Sequence, residues 1–121
     1  FERGERYIAR QSLGDLLLDA LHHNAGANAC DALAGGLPVL TLRGSAPSSR
    51  VCRSILTAAG MPDLVARDQQ QFVETAVSLG ADPRKAQALK NRLASNRTRA
   101  PFFDTQGRVR DMEACFMQML A

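Results

Sequence analysis

The sequence predicts an α/β fold with two or three parallel strands, flanking helices and a helical tail. Apolar runs and helical patterns follow one another in the order strand, loop, helix, strand, loop, helix, which is typical of parallel strands joined by crossover helices. The rest of the chain shows helical periodicity. With 121 residues, 45% hydrophobic and 22% charged, the chain suits one globular domain and is too short for two.

The chain begins with a mixed-charge segment, residues 2–11, for which we predict a helix. Residues 16–21 form an almost continuous apolar run, which suits a strand buried on both faces of a parallel sheet. After a loop rich in turn-forming residues, residues 27–34 are predicted to form a helix of small residues. Gly35 and Gly36 follow it, at the position where a left-handed helix cap is easiest.

The second strand is predicted at residues 38–42, with a proline at its edge, where no hydrogen bond of the ladder is lost. Ser48 is predicted to cap a helix that ends at Ala59. The apolar stripe of that helix consists of Val51, Ile55 and Leu56. Residues 64–66 are predicted to form a third, very short strand.

The tail is predicted to contain three helices. Asp68 and Gln71 resemble a capping box at the first. Asp82 precedes a proline, which favours a second helix start there, and Asp104 opens the last helix. The residues predicted to face inward recur at helical spacing: Phe72, Val73, Ala76 and Val77; Ala86, Leu89 and Leu93; Val109, Met112, Phe116, Met119 and Leu120.

Composition narrows the class of protein. The net charge of +3 tolerates an anionic ligand but does not require a nucleic acid. The three cysteines, Cys30, Cys52 and Cys115, are widely separated and lack metal-binding spacing, so we expect reduced thiols, with Cys30 and Cys115 as small core residues, in a cytosolic protein. No apolar run reaches membrane-spanning length. The start at Phe1 and the few strands predict a piece of a larger domain.

A candidate anion site follows the first strand. In open parallel sheets, ligands bind beyond the carboxyl ends of the strands, where loops open onto helix N-termini. Residues 24–28 occupy that place, and their small side chains would let a diphosphate approach the backbone and the positive end of the helix dipole. Asp31, one turn further, could accept a hydrogen bond from a ribose hydroxyl. A plain connection between strand and helix is the alternative interpretation.

Other polar residues near this loop have simpler explanations. His22 and His23 are adjacent, so their side chains point in different directions. They are interpreted as ordinary loop residues, with contact to a ligand as the alternative. Asp19 is expected to anchor loop backbone. Residues 84–99 contain six basic residues and no acidic one, which indicates a solvated helix face, with an anionic partner or a neighbouring domain as the alternatives.

Several separated motifs fall in one recognisable order. They are Tyr7-Ile8-Ala9-Arg10, Asn24-Ala25-Gly26-Ala27-Asn28-Ala29-Cys30-Asp31, Gly36-Leu37-Pro38-Val39-Leu40-Thr41-Leu42, Ser49-Arg50-Val51 and Pro101-Phe102-Phe103-Asp104. Together they resemble the O-GlcNAc transferase and SPINDLY-type family, in which tetratricopeptide repeats precede a two-lobed glycosyltransferase of the GT-B class. The resemblance implies that residues 1–121 are the later part of the Rossmann-like C-terminal lobe, which holds the UDP of UDP-N-acetylglucosamine.

The resemblance also implies a role for individual positions. Tyr7 stands where a His stacks on the uracil, and Arg10 where an Arg reaches the uracil edge. The turn formed by Asn24, Ala25, Gly26, Ala27 and Asn28 stands where the diphosphate binds. Asp31 stands where an Asp holds the ribose.

Two departures from the family pattern bear on activity. The family usually has threonines at the positions of Ala27 and Asn28, whose hydroxyls bond the phosphate, and each missing bond costs about 0.5–1.5 kcal/mol. The amide of Asn28 could substitute for one. Arg43 replaces a common proline, and its guanidinium is a possible phosphate contact.

The implied reaction is transfer of a sugar from UDP to Ser or Thr hydroxyls of an acceptor protein, with inversion at the anomeric carbon and without a metal or other cofactor. The family's catalytic residues lie upstream, so no catalytic residue is assigned here and this segment alone would be incomplete. Self-association through an exposed sheet edge is possible. The alternatives are a degenerate, non-catalytic lobe for protein interaction or nucleotide sensing and, less favoured, a nucleic-acid-associated domain.

Overall fold

A computed structural model describes residues 4–120. Its centre is a parallel sheet of three strands, β1 (Leu17–Leu18), β2 (Val39–Leu42) and β3 (Val65–Ala66), in the order β1-β2-β3. The register pairs Leu17 with Val39, Leu18 with Leu40, Thr41 with Val65, and Leu42 with Ala66. Because consecutive strands are parallel neighbours, a helix crosses over between each pair. The predicted α/β fold is confirmed.

Six α-helices surround and follow the sheet. They are α1 (Gly4–Gln11), α2 (Ala27–Ala34), α3 (Val51–Ala58), α4 (Gln69–Ala81), α5 (Pro83–Asn96) and α6 (Thr105–Leu120). Three short 3₁₀ turns, Pro47–Ser49, Pro62–Leu64 and Pro101–Phe103, each begin with a proline, which suits a first position whose N–H has no helical partner. No helix among residues 4–120 is long and apolar enough to cross a membrane. Residues 2–3 of the predicted first helix lie outside the described part.

The helix starts predicted for the tail are confirmed. The carboxylate of Asp68 accepts a hydrogen bond from Gln71 N at 2.8 Å, and that of Asp82 accepts one from Arg84 N at 3.0 Å. Asp104 accepts a bond from Gly107 N at 2.8 Å. Each carboxylate thereby satisfies a backbone N–H that the helix itself leaves without a partner.

The core is aliphatic, as the composition indicates. Its largest fully buried side chains include Leu33 of α2, Leu40 of β2, Leu56 of α3, Met61, and Leu93 of α5. Helices α2 and α3 contact each other and β2, while α4 contacts β2 and β3. The sheet is therefore enclosed mainly around its central strand, and β1 is the least covered.

The predictions for two elements were wrong in extent. The strand predicted at residues 16–21 is only β1, because the Asp19 carboxylate binds loop backbone directly after it. Leu18, predicted to be buried, is 54% exposed. Ser48 does not cap α3: it lies in a 3₁₀ turn and donates a weak bond to His22 O at 3.4 Å. Helix α3 begins at Val51 without a side-chain cap.

Several residues predicted to be inward are exposed. They are Val51, Val73, Val77, Val109, Met112, Cys115, Phe116, Met119 and Leu120. Cys30 is partly buried. The apolar residues of α6 recur at helical spacing, yet Phe116 is 56% exposed. The reason is that α6 packs mainly on the 3₁₀ turn just before it. Helical spacing identifies an apolar face, whereas burial requires a surface opposite to it.

Candidate functional site

A buried carboxylate fixes the loop that follows β1. Asp19 is 6% exposed. Its Oδ1 accepts hydrogen bonds from Ala20 N at 2.8 Å and from Ala25 N at 2.7 Å, and its Oδ2 accepts one from Thr41 Oγ1 at 2.6 Å. One side chain thus joins the end of β1, the turn before α2 and the neighbouring strand β2. The prediction that Asp19 anchors loop backbone is confirmed.

Asn24 ties the same turn to α3. Its Nδ2 donates to Ala20 O at 3.1 Å, and its Oδ1 accepts from Cys52 N at 3.1 Å. Its backbone N donates to Ser48 O at 2.9 Å. The side chain is buried and both of its polar atoms are bonded within the chain, so Asn24 positions the turn. A direct contact of Asn24 with a ligand stays a prediction.

The turn enters α2 through a glycine in the left-handed region. Gly26, the N-cap residue of α2, has φ 48°, a conformation that side chains disfavour. Asn28 N donates to Ala25 O at 2.9 Å, which closes the first turn of the helix. Within residues 4–120, Ala27 N has no acceptor, and the side chains of Ala27 and Asn28 are exposed. The positive end of the α2 dipole therefore faces an accessible surface.

A thiol lies directly beneath this turn. Cys52 of α3 is fully buried. Burial, together with a hydrogen bond to Asp19 and the negative charge of that residue, raises the pKa of the Cys52 thiol to about 12, although the backbone N–H groups of Gly26 and Ala25 act in the opposite direction. The thiol is therefore neutral at physiological pH, which suits a structural contact and not a nucleophile.

Asp31 presents a carboxylate on the same helix. It is half-buried, and within residues 4–120 its side chain has no hydrogen-bond or ion-pair partner. Burial chiefly raises the pKa of the neighbouring Cys30 thiol; the charge of Asp31 adds to this shift and that of Arg108 opposes it. The lone pairs of the Asp31 carboxylate are thus free to accept hydrogen bonds from a hydroxyl ligand.

The two residues predicted at the uracil lie together on α1. The Arg10 guanidinium sits over the Tyr7 ring, 5.4 Å from its centroid, within the range of a cation–π contact. Helix α1 packs closely on the C-terminal end of α2, where a Cβ added to Gly35 would lie 2.5 Å from Ile8 O. The turn is at the other end of α2, about 12 Å away for eight residues at 1.5 Å each.

Arg43 lies away from the turn at residues 24–28. It lines a cavity of about 260 Å³ whose walls are Arg43, Arg53, Thr57, Pro62, Val65, Ala66 and Arg67. None of residues 24–31 belongs to this wall, so the structure does not bring Arg43 together with the predicted diphosphate turn. The contact of Arg43 with a donor phosphate stays a prediction.

The remaining candidates are spread over the surface. His22 and His23 are both exposed. Half of the six basic residues in 84–99 have an acidic partner: Arg84 with Asp82 at 3.2 Å, Lys90 with Asp15 at 3.0 Å, and Arg92 with Asp63 at 2.7 Å. Such pairing favours the interpretation as a solvated face over a nucleic-acid surface. Within residues 4–120, no group of three His, Cys, Asp or Glu side chains could hold a metal ion.

Thr41 and Cys52 also belong to the site, although neither was predicted there. Both belong to buried elements and touch Asp19. The available signal was Thr41 itself, a hydroxyl inside an otherwise apolar strand, because a buried hydroxyl needs a hydrogen-bond partner.

Comparisons with known proteins agree with this architecture. The model of glycosyl transferase family 41 matches residues 2–112. The chain is 34% identical over 115 residues to a UDP-N-acetylglucosamine–peptide N-acetylglucosaminyltransferase of Caenorhabditis elegans, covering 95% of this chain and 10% of that protein. It is 32% identical over 114 residues to the probable UDP-N-acetylglucosamine–peptide N-acetylglucosaminyltransferase SEC of Arabidopsis thaliana, covering 93% and 12%.

A solved structure has the same fold. A mutant of the Thermobaculum terrenum O-GlcNAc transferase matches with a TM-score of 0.86 and 27% sequence identity, over 98% of this chain and 23% of that one. The chain therefore spans about a tenth of the length of the curated relatives it matches and about a quarter of this structure.

Proposed function

The chain belongs to glycosyl transferase family 41, and from that membership we propose that residues 1–121 form the later part of the UDP-sugar-binding lobe of a glycosyltransferase. The observation that carries this proposal is the turn at residues 24–28. It is held by buried Asp19 and Asn24, opens onto the N-terminus of α2, and leaves Ala27 N without an acceptor in the described part of the chain.

In this proposal the turn binds the diphosphate of the donor. The free N–H and the helix dipole favour negative charge, and the dipole contributes about 0.3–1 kcal/mol where it is exposed. The small side chains of Ala25, Gly26 and Ala27 let phosphate oxygens approach the backbone closely. Because Asp19 and Asn24 fix the turn beforehand, little conformational entropy would be lost on binding.

Asp31 and α1 would bind the nucleoside. The Asp31 carboxylate accepts hydrogen bonds from the ribose hydroxyls, for which its oxygens are unoccupied within residues 4–120. Tyr7 stacks on the uracil, and Arg10, already placed over the Tyr7 ring, reaches the uracil edge. The Tyr7 ring would take the place of the His that stacks on the uracil in the family.

The whole protein would transfer N-acetylglucosamine from UDP to Ser or Thr hydroxyls of an acceptor protein, with inversion. The names of the relatives include this donor and a peptide acceptor. This chain would supply donor binding, while the catalytic residues and the acceptor groove would come from other parts of the protein. No metal or other cofactor is expected in this proposal, because the free N–H of Ala27 and the α2 dipole would stabilise part of the negative charge of the diphosphate.

One observation favours a second candidate function, a degenerate lobe that binds a nucleotide or a protein without transfer. Ala27 has no hydroxyl and Asn28 offers an amide where the family has threonines. Each lost neutral hydrogen bond costs about 0.5–1.5 kcal/mol, so donor binding would be weakened and not abolished.

Calorimetric titration of UDP into the intact protein tests the proposal. We expect saturable binding, and at least a tenfold loss of affinity in Asp31→Asn, since hydrogen bonds to a charged group contribute about 1.5–3 kcal/mol. Asp111→Asn is the matched control, because Asp111 makes the same charge change on the exposed surface of α6.

Absence of saturable UDP binding would contradict the proposal, and so would equal affinities for the two variants. Binding of UDP without any sugar transfer by the intact protein would support the degenerate lobe.

A further inference from the structure

A cluster of arginines surrounds a small cavity at one edge of the sheet. Three of them, Arg43, Arg53 and Arg67, line the 260 Å³ cavity described above, which we call the cationic cavity. Arg53 also lines the adjoining groove together with Arg50. No acidic residue belongs to either wall, so a high density of positive charge is concentrated in one concave surface.

Two of these arginines lack the carboxylate partner that some other basic residues of the fold have. Arg84, Lys90 and Arg92 each have a carboxylate within 3.2 Å, whereas within residues 4–120 Arg43 and Arg53 have no ion-pair partner. Like charges that share a site repel one another, and an anion between them removes that repulsion. The missing counter-charge is therefore one that a ligand can supply.

Hydrogen bonds fix the Arg43 backbone and the Arg67 side chain next to the cationic cavity. Arg43 N donates to Ala66 O at 3.0 Å, which joins the carboxyl ends of β2 and β3. Arg67 is held through Nε by Gln71 Oε1 at 3.1 Å, which leaves its terminal nitrogens free of bonds within the described part. Arg53 projects from α3 and is partly buried. Arg43 after β2, Arg53 of α3 and Arg67 after β3 thus contribute to the wall of one small volume.

The cationic cavity is separate from the proposed donor turn. The turn follows β1, whereas Arg43 follows β2 and Arg67 follows β3, which are one and two strands further along the sheet. Neighbouring strands lie about 4.8 Å apart, so the cavity is displaced from the turn by about 5–10 Å along the carboxyl edge of the sheet. This inference does not depend on the proposed function.

We propose that the cationic cavity binds a small anion of the phosphate class that carries at least two negative charges. Guanidinium forks match the oxygens of phosphate in paired hydrogen bonds, and three such groups suit a multivalent ion better than a single carboxylate. The volume of 260 Å³ is smaller than the usual range for drug-sized ligands, about 300–1,000 Å³, and therefore favours a compact ligand.

Titration of pyrophosphate into the intact protein at low ionic strength, with UDP present at saturation, tests this proposal. We expect pyrophosphate to bind despite the UDP. We also expect about a tenfold loss of affinity in Arg53→Gln and in Arg67→Gln, which corresponds to about 1.4 kcal/mol. Arg110→Gln, on the exposed face of α6, removes the same charge elsewhere and should leave the affinity unchanged. Circular dichroism of each variant confirms folding.

Three results would overturn the proposal. They are the absence of saturable pyrophosphate binding, its complete loss when UDP is added, and equal affinities for Arg53→Gln, Arg67→Gln and Arg110→Gln. The second result would place the anion in the donor turn. If the protein binds no UDP at all, pyrophosphate binding that depends on Arg53 still supports the cationic cavity, so that the two proposals fail independently.

Discussion

Replacement of Asp19 by alanine should destabilise the fold and loosen the turn before α2. The carboxylate is 6% exposed, accepts hydrogen bonds from Ala20 N, Ala25 N and Thr41 Oγ1, and also interacts with the Cys52 thiol. Asp19→Ala removes these three bonds and the interaction with Cys52 at once. Ala20 is exposed and water can replace its partner, whereas Ala25 N and the Thr41 hydroxyl are less accessible and would lose theirs.

The magnitude follows from those two donors. A buried donor left without a partner costs about 1–3 kcal/mol, so two of them should lower the free energy of unfolding by about 2–6 kcal/mol. Domains of this size are stable by about 5–15 kcal/mol, and the variant would therefore unfold at a markedly lower denaturant concentration. Thr41 is fully buried, which makes its orphaned hydroxyl the larger part of the cost.

Urea denaturation of the intact protein measures the change, with Asp15→Ala as the matched control. Asp15 lies four residues earlier and pairs with Lys90 at 3.0 Å, but its side chain is 79% exposed, and exposed ion pairs contribute about 0–1 kcal/mol. Hydrogen exchange at Ala25 N gives a local readout, since this amide should exchange faster in Asp19→Ala and at an unchanged rate in Asp15→Ala.

The reasoning would be refuted if the two variants lost similar stability, or if Ala25 N kept its protection without Asp19. Either result would mean that packing around α2, and not the carboxylate, sets the conformation of the turn.

Three further predictions concern the thiol below the turn and two glycines elsewhere in the fold. Burial and Asp19 raise the pKa of the Cys52 thiol to about 12 from an ordinary value of 9.0, so the folded state binds this proton more tightly than the unfolded state does. The resulting contribution to the free energy of unfolding is complete below pH 9. It is lost as the pH rises from 9 towards 12, by about 1.4 kcal/mol per pH unit. Denaturation across that range should show a smaller loss in Cys52→Ala than in the wild type, and parallel curves would contradict it. Gly35→Ala should cost about 1–3 kcal/mol by overpacking, since its Cβ would lie 2.5 Å from Ile8 O. Gly80→Ala, in open space within α4, should instead stabilise by about 0.5–1 kcal/mol, and a destabilised Gly80→Ala would contradict the packing described for α4.

The sheet and the helix order could be predicted from sequence because they depend on local patterns. The α2 boundaries were predicted at residues 27–34, and the caps Asp68 and Asp82 mark their helices through bonds to residues two or three positions away. Signals of this kind are contained within a few residues. They do not depend on what the rest of the protein contributes.

The burial of β1 and of α6 could not be predicted, because it depends on whether a surface distant in sequence packs against them. Leu18 and the apolar face of α6 have the patterns of buried elements, yet both are exposed among the described residues. A pattern records that a face is apolar, not which surface covers it. The Asp19–Thr41 bond joins residues 22 positions apart, and no local pattern could have identified that pair.

The hydroxyls that are missing at Ala27 and Asn28 can be tested separately from the residues that hold the turn in place. The turn is held by Asp19 and Asn24 through backbone atoms, whereas the side chains of Ala27 and Asn28 are exposed. Threonines at 27 and 28 would therefore be added to a turn that is already formed.

Any change in UDP affinity of the double variant Ala27→Thr/Asn28→Thr would then report the hydroxyls alone. Two hydrogen bonds of about 0.5–1.5 kcal/mol each predict binding about 5- to 150-fold tighter, measured by calorimetry. Thr105→Ser on α6 is a hydroxyl-retaining control that should change nothing. Unchanged affinity in the double variant would mean that the backbone of the turn does not approach the diphosphate, because a hydroxyl on its first two helical residues could then not reach the ligand.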